Sequence, residues 1–504
     1  MTTTSAPIQL VLVSHTNAGK TTLARTLAGV DLGEVRDAPH VTTQSDAHTL
    51  WSGPDGELLQ LWDTPGFGDS VRLFKRLRLA GNPLGWFLRE VVDRYRERPF
   101  WLSQQAMRTA REAADVVLYL VNSSEDPQDA GYLDAEMKIL QWLDKPVLIL
   151  LNQMGPPRPQ AQEDAEQARW HALLSVYPMV KQVMPLDAFA RCWVHERVFY
   201  DAVGACVPAA KQGAYQRFLA HWAQSNQARL QASVDLLAAQ LAAAARDREA
   251  VKTPDGVGLD RLLGAVGLGR RQGEKRQAKA WSALVERLGA SILQSTTGLL
   301  RLHQLDAGAA STIHTRVEQS FVVRAPLDTT QAGLLGSVLS GAAAGLSADL
   351  MTGGLSFGAG ALVGGILGAL GFAGAAWAFN VSTDRNAETL QFSDEFLRAQ
   401  LVAAVLRYLA VAHFGRGRGA FEASEAPAFW QAEVEVAIAP HEAALAMIWE
   451  AARKAASPEA ATQQVGQVVL PVVTGVLQRL YPHATTGTNL IAPSGGALPQ
   501  AWPR

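Results

Sequence analysis

The sequence predicts an α/β unit with a mostly parallel sheet and helices on both faces, followed by an all-α half that carries a Gly-rich apolar hairpin. Three observations carry this expectation. Residues 1–205 alternate short apolar, β-rich runs with helical stretches, the pattern of strands joined by crossover helices. From Pro208 onward the apolar residues recur at three- and four-residue steps instead. Between Asp328 and Asp384, 55 residues hold one charge, Asp349, and many glycines.

In chain order, the runs IQLVLV, LLQLWDT, DVVLYLVNS, PVLILLNQ and KQVMPLDA are the expected strands. Tyr215, Leu219, Trp222, Leu230, Val234, Leu237 and Leu241 then mark one long helix over 208–251, about 65 Å if unbroken, with Gly213 near its start and Pro254 and Gly256 closing it. A further helix is expected over about 273–301, with Pro326 at a junction. Residues 329–383 are expected to form a helical hairpin, 332–348 and 355–379, joined at 350–354 with Asp349 near the bend. The run 355–379 has 25 residues without a charge, and about 20 suffice to cross a bilayer. Gly360, Gly364 and Gly368 share a face where another helix can approach closely, in a membrane or inside a soluble helical domain alike. Beyond 384 the chain reads as amphipathic helices, with a flexible turn at FGRGRG (414–419) and a loose tail from Pro482. The expected divisions are 1–205, 206–328, 329–383 and 384–504.

Composition narrows the functional classes. With 45 basic and 47 acidic residues the net charge is −2, so no global basic field marks a nucleic-acid binder. Two cysteines among 504 residues exclude a disulfide scaffold and suit a reducing compartment. The N-terminal segment has no basic n-region of a secretory signal, so a cytoplasmic location is expected.

The densest signal follows the first expected strand. Ser14-His15-Thr16-Asn17-Ala18-Gly19-Lys20-Thr21 matches G-x4-GK[ST], with Ser14 in place of the first glycine. Such a loop aims backbone N–H groups, here through Ala18 and Gly19 to Thr21 and Thr22, at phosphates, and the following helix adds its positive end. Lys20 reaches the β- and γ-phosphates, and the Thr21 hydroxyl binds Mg²⁺. Asp63-Thr64-Pro65-Gly66 stands at the end of another expected strand, 43 residues after Lys20.

With these two motifs and the intervening APHVTTQSD, the chain resembles the Era-like branch of translation-factor-type P-loop GTPases. More narrowly, it is similar to bacterial members that attach an uncharacterised, Gly-rich helical half. The resemblance implies that Asp63 holds a Mg²⁺-bound water, that the Gly66 N–H senses the γ-phosphate, and that Thr43, with Thr42 as the alternative, joins Mg²⁺. It also implies a base-recognition strand at LILLNQMG, 148–155, where Asn152 matches the NKxD pattern. Gln153 replaces its lysine, and Gly155 replaces the aspartate that pairs with guanine. Asp187-Ala188 occupies the place of the family's Ser-Ala loop, so Asp187 is either a replacement carboxylate for the base or a helix N-cap.

Phe67 follows the DTPG motif where some relatives carry a water-orienting glutamine, and a phenyl ring cannot polarise water. In relatives with asparagine at the position of Asn17, that residue holds K⁺ beside the phosphates; the other reading of Asn17 is a turn residue. The expected catalytic set is Asn17, Lys20 and Thr43, with Thr21, Thr43 and Asp63 around Mg²⁺. The insert 71–101 carries eight Lys/Arg against three acids, with Trp86 and Phe87, and reads as a solvated helix pair, a membrane or partner contact, or an RNA contact. His15, His40 and His48 lack metal-site spacing, and the GXXG loop of a KH domain is missing after 205, so nucleic acid is not an expected partner.

The expected function is a molecular switch that binds GTP/GDP with Mg²⁺, and K⁺ if Asn17 holds it, hydrolysing slowly at or in the cytoplasmic membrane. Its partners would be guanine nucleotide and the membrane or a membrane protein, with a homodimer left open. The alternatives are a nucleotide-binding scaffold with little turnover that holds a partner protein, and a soluble RNA- or ribosome-associated NTPase.

Overall fold

The computed structural model describes residues 6–28, 45–68, 70–78, 98–155, 157–188, 192–251, 268–305, 379–384, 387–413, 427 and 429–482. Thr42 and Thr43, His40, the part of the insert with Trp86 and Phe87, the glycines and Asp349 of 329–378, and FGRGRG lie outside the described residues. The chain divides into two units: Met1–Ala228 with Ala412–Glu425 and Leu480–Arg504, and Arg229–Val411 with Ala426–Arg479.

The first unit is built on six strands: β1 (Ile8–Ser14), β2 (Asp46–Ser52), β3 (Leu58–Asp63), β4 (Val116–Asn122), β5 (Val147–Asn152) and β6 (Val180–Pro185). Their order is β2-β3-β1-β4-β5-β6, with β2 antiparallel to β3 and every other pair parallel. Strands β4 and β5, VVLYLVN and VLILLN, are apolar nearly throughout and almost wholly buried, as strands covered on both faces must be. The helices are α1 (Lys20–Ala28), α2 (Ser70–Leu77), α3 (Arg98–Glu112), α4 (Leu133–Gln141), α5 (Gln160–Leu174) and α6 (Trp193–Cys206). Parallel pairing sets Leu12 beside Asp63, Ser14 beside Leu120 and Asn122 beside Asn152. The carboxyl ends of β1, β3 and β5 thus deliver Ser14, Asp63 and Asn152 to one edge of the sheet, where open α/β sheets bind ligands.

The five strands read from apolar runs are β1, β3, β4, β5 and β6. The sequence reading missed β2, a half-exposed antiparallel edge strand. Its signal was available in Pro54-Asp55-Gly56, a turn sequence between two extended runs.

The long helix expected over 208–251 is α7, Gln212–Arg246, preceded by a 3₁₀ turn at Ala209–Lys211. Its seven periodic apolar residues are all buried. It stops before 251 because Arg248–Val251 forms a strand, β7, whose backbone pairs elsewhere. Gly213 lies inside the first turn of this helix. Within the first unit, the start of α7 closes an aromatic cluster. The Tyr215 hydroxyl donates to Tyr200 O at 2.5 Å, and the rings of Phe218 and Trp222 lie 5.0 and 5.3 Å from that of Tyr200. Trp51 of β2 meets Phe218 edge-on at 5.8 Å. Arg217 Nε donates to the buried Glu57 at 2.6 Å, and Lys211 Nζ donates to Asp115 Oδ2 at 2.6 Å.

The second unit is mainly helical: the rest of α7, then α8 (Leu268–Leu302), α9 (Asp394–Ala412), α10 (Phe429–Ile438), α11 (Glu442–Lys454) and α12 (Pro458–Leu480). The all-α expectation needs one addition here, a three-stranded antiparallel sheet ordered β7-β9-β8, with β8 Phe379–Asp384 and β9 Ala387–Phe392. The second segment of the expected hairpin, 355–379, therefore ends at least one residue early, since strand begins at Phe379 and continues with Val381 paired to Leu390 and Thr383 to Glu388. The β-branched residues of FNVSTD suit a strand. In α12, Val465, Val468, Val469, Val472, Val473, Val476 and Leu477 form a buried face. Among the described residues this is the one helix long and apolar enough to cross a membrane, and half of its apolar window is buried within the protein.

Candidate nucleotide-binding site

Residues 15–19 turn the chain from the end of β1 into α1, whose first turn leaves backbone N–H groups without helical partners. Asn17 and Gly19 adopt positive φ of 67° and 86°. At Gly19 a Cβ would stand 2.5 Å from Asn152 Nδ2, so this position requires glycine. The loop is fastened to the segment after β3: Thr16 Oγ1 donates to Phe67 O at 2.7 Å, and Phe67 N donates to Ser14 O at 2.8 Å. Gly66 permits this approach, since a Cβ there would lie 3.1 Å from both Lys20 Nζ and Thr16 Cα. Phe67 contributes only backbone to the loop; its ring is fully buried in the apolar core.

Lys20 is buried, and its Nζ donates to Ser14 Oγ at 2.9 Å. Burial pushes its pKa below the ordinary lysine value, against the opposing pull of Asp63 and Glu136. Asp63 is displaced the other way: burial raises its pKa, while Lys20 and the Thr21 hydroxyl partly hold it down. Thr21 Oγ1 donates to Asp63 Oδ2 at 2.6 Å. A hydroxyl and a carboxylate this close are hard oxygen donors that fit Mg²⁺, which keeps waters and takes phosphate oxygens as its remaining ligands. A cation there would also relieve the cost of the buried Asp63 charge. Among the described residues no cluster of three His, Cys, Asp or Glu side chains forms another metal site.

On the base side, Asn152 is fully buried and joins three segments. Its Nδ2 donates to Ala18 O at 2.8 Å, its Oδ1 accepts from Ala188 N at 2.8 Å, and its carbonyl accepts from Ser123 N. Gln153 Nε2 donates to Asn17 O at 3.3 Å, so a neutral amide reaches the phosphate loop from the position of the family lysine. Thr26 of α1 ties in the other loop, its single hydroxyl proton shared between Thr22 O at 2.9 Å and Ala188 O at 3.1 Å. Asp187 is not a helix N-cap: α6 begins at Trp193 with Cys192 in the cap position. Its carboxylate accepts instead from Met154 N at 2.7 Å, holding the turn before Gly155. Gly155 has φ of 81° and open space where a Cβ would be.

The loop has one further support that the sequence reading missed. His15 Nδ1 donates to the fully buried Glu136 Oε1 at 2.7 Å, and the Tyr119 hydroxyl donates to Oε2 at 2.5 Å. The His15 ring stacks on Tyr132 at 4.0 Å between centroids. Burial and Glu136 push the Tyr119 pKa well above its usual value, so the phenol stays a donor. His15 and Glu136 are 121 residues apart, and no local pattern announces the pair.

Residues 9–153 match the family model described as 50S ribosome-binding GTPase, and residues 180–468 match that of a domain of unknown function, DUF3482. No curated protein matches the chain. Among solved structures, Era bound to MgGDPNP and a stretch of 16S ribosomal RNA is 17% identical over 40% of this chain and 57% of that one, with a TM-score of 0.30. An Aquifex aeolicus Era variant bound to GDP and aluminium fluoride has the same identity and shares, with a TM-score of 0.29. An NFeoB mutant from S. thermophilus bound to GMPPNP is 15% identical over 46% of this chain and 72% of that one, with a TM-score of 0.22. The chain thus spans little more than half the length of the Era chains it is similar to. One family model covers more than half of its 504 residues, and so the chain belongs to the DUF3482 family, with the GTPase family match ahead of it at residues 9–153.

Proposed function

We propose that the protein is a guanine-nucleotide switch that hydrolyses GTP slowly and uses its helical half to act on a membrane or a partner protein. The observation that carries this reading is the convergence of Lys20, Thr21 and Asp63 at the mouth of the phosphate loop. The buried ammonium would neutralise β- and γ-phosphate oxygens, and the loop amides would hold them in place. Thr21 would ligate Mg²⁺ and Asp63 would hold it through water; when bound, that ion would supply charge for phosphoryl transfer. Thr43, with Thr42 as the alternative, would complete the metal's surroundings in the triphosphate state. Slow turnover follows from Phe67, whose buried ring leaves no side chain there to orient water. Asn17, exposed in its left-handed turn, would hold K⁺ beside the phosphates.

Single-turnover hydrolysis of GTP in K⁺ and in Na⁺, with wild type and Asn17→Ala, tests the reading. A K⁺-dependent rate that Asn17→Ala loses supports it. Absence of GTP binding overturns it, and binding without turnover in either salt leaves the nucleotide-binding scaffold. The matched family's description as ribosome-binding favours a second reading, a ribosome-associated NTPase. Co-sedimentation with liposomes or with ribosomes separates the two, and carbonate extraction of a chain lacking 332–379 tests whether that stretch holds the membrane.

A further inference from the structure

The unit comprising Arg229–Val411 and Ala426–Arg479 encloses a group of polar side chains whose hydrogen-bonding capacity is lopsided. Arg407 on α9 is 4% exposed, Gln240 on α7 3%, Ser295 on α8 4% and Gln400 on α9 1%. Other arginines here face carboxylates: Arg398 meets Glu435 and Glu442, and Arg453 meets Asp394. Among the described residues Arg407 meets none, and its guanidinium is bonded through Nη2 to the Gln240 side-chain oxygen. Burial, with no opposing charge, pulls its pKa down to about 10. Arg407 Nε, Gln240 Nε2, Gln400 Nε2 and Ser295 Oγ are all buried and unpaired. The three nitrogens can only donate, the hydroxyl can donate or accept, and the Gln240 oxygen already takes one bond from Arg407.

Arg407 and Gln240 are in contact, and helix register relates the other two groups to them. Helices α7 and α8 run antiparallel, with Asp247 bonded to Arg287, Leu236 against Gly298, and Ser233 Oγ 3.4 Å from His303 Nε2. Stepping along that register puts Ser295 and Gln240 at about the same level of the two helices. Tyr408, next to Arg407, lays its ring 6.0 Å from that of His303, so α9 also packs beside α8. Gln400 stands two turns before Arg407 on one side of α9.

We propose that this cluster binds a small oxyanion, a carboxylate or a phosphate group, inside the helical half. A fork of guanidinium donors, two amide N–H groups and a hydroxyl match the acceptor-only surface of such an anion. A metal cation finds a resident positive charge and few acceptors, which excludes it. The anion would turn an uncompensated buried charge, which destabilises a fold, into a paired one. The site is separate from the phosphate loop and does not rest on the nucleotide reading.

The test uses the full-length protein in excess MgGDP, so that added phosphate does not compete at the loop. Thermal unfolding of wild type and Arg407→Met is compared in inorganic phosphate, succinate and dihexanoyl phosphatidate against chloride at matched ionic strength. At a concentration well above Kd, at least one probe should raise the wild-type transition by about 3 °C, and Arg407→Met should lose that shift. The probe that acts distinguishes free phosphate, carboxylate and lipid headgroup. In chloride alone Arg407→Met should melt at or above wild type, because the uncompensated charge is gone. Equal shifts in both proteins, no shift with any probe, or a strongly destabilised variant beside an anion-indifferent wild type would overturn the proposal. If Arg407→Met does not fold, Gln400→Leu keeps the charge and removes one donor; its response should be weaker, and an unchanged one also overturns the proposal.

Discussion

Lys20 Nζ rests on Ser14 Oγ at 2.9 Å, across the phosphate loop whose first glycine Ser14 replaces. The hydroxyl therefore partners the ammonium that phosphates would otherwise claim. Ser14→Gly should lower the stability of the nucleotide-free chain by about 1.5–3 kcal/mol, the range for a hydrogen bond to a charged group. MgGDP should then stabilise the variant more than the wild type, because nothing competes for the lysine. Thermal unfolding with and without MgGDP checks both signs, and a smaller MgGDP effect in the variant would show that Ser14 shapes the loop instead.

Lys20→Ala should abolish nucleotide binding while leaving far-UV circular dichroism unchanged. Its depressed pKa means that this group contributes stability above its unfolded value, lost as pH falls through the folded one. At neutral pH the charged lysine is thus a cost of folding that phosphates offset. Wild-type affinity for MgGDP in the variant would remove the phosphate-loop assignment.

Asp63 gives a pH dependence of its own. Its folded pKa lies above the unfolded value, so the stability it contributes is complete below about pH 4 and is lost as pH rises through the folded pKa. Asp63→Asn should raise the melting temperature of the nucleotide-free chain at pH 7 to 8 and leave it nearly unchanged at pH 4. The extra stability that Mg²⁺ adds to the nucleotide complex should disappear in the same variant. A lower melting temperature at pH 8 would show that the carboxylate is better paired than its burial implies.

Gly155→Asp restores the family aspartate in open space but at φ of 81°, a conformation costing a non-glycine residue about 1–2 kcal/mol. The variant should be less stable by about that amount, and its preference for GTP over ATP should rise about tenfold or more, from a charge-assisted pair to the base. Competition of the two nucleotides for the wild type sets the baseline. Strong wild-type discrimination that Asp187→Asn abolishes would assign base reading to Asp187.

Asn152→Ala should be the most destabilising of these changes, at about 2–4 kcal/mol, because it strands both Ala18 O and Ala188 N in a buried position. Denaturant unfolding monitored by tryptophan fluorescence measures it.

The parts of the site that were legible lie where the chemistry is local. Eight consecutive residues, Ser14 to Thr21, specify a loop, a charge and a helix start, and the apolar runs before Asp63 and Asn152 place both at strand ends. What could not be read depends on distant partners. Glu136 looks like any helical acid until the fold sets His15 and Tyr119 on its two oxygens. Arg248–Val251 carries the periodicity of the preceding helix, yet it becomes strand because β9, more than a hundred residues later, offers a free edge. Asp187 precedes a helical stretch and so resembles a cap, whereas the helix starts later and the carboxylate turns to Met154.

The aromatic cluster at the start of α7 bears on where the protein can be divided. Strand–helix alternation ends near residue 205, which invites a cut there, but such a fragment would lose Tyr215, Phe218 and Trp222. The faces of Tyr200 and Trp51 would then be open to water, and Glu57 would lose Arg217. Each lost ring covers on the order of 200 Å² of apolar surface, enough to make the fragment self-associate. A fragment carried through Ala228 keeps that cover, and the first four turns of α7 are in effect the last piece of the nucleotide-binding unit.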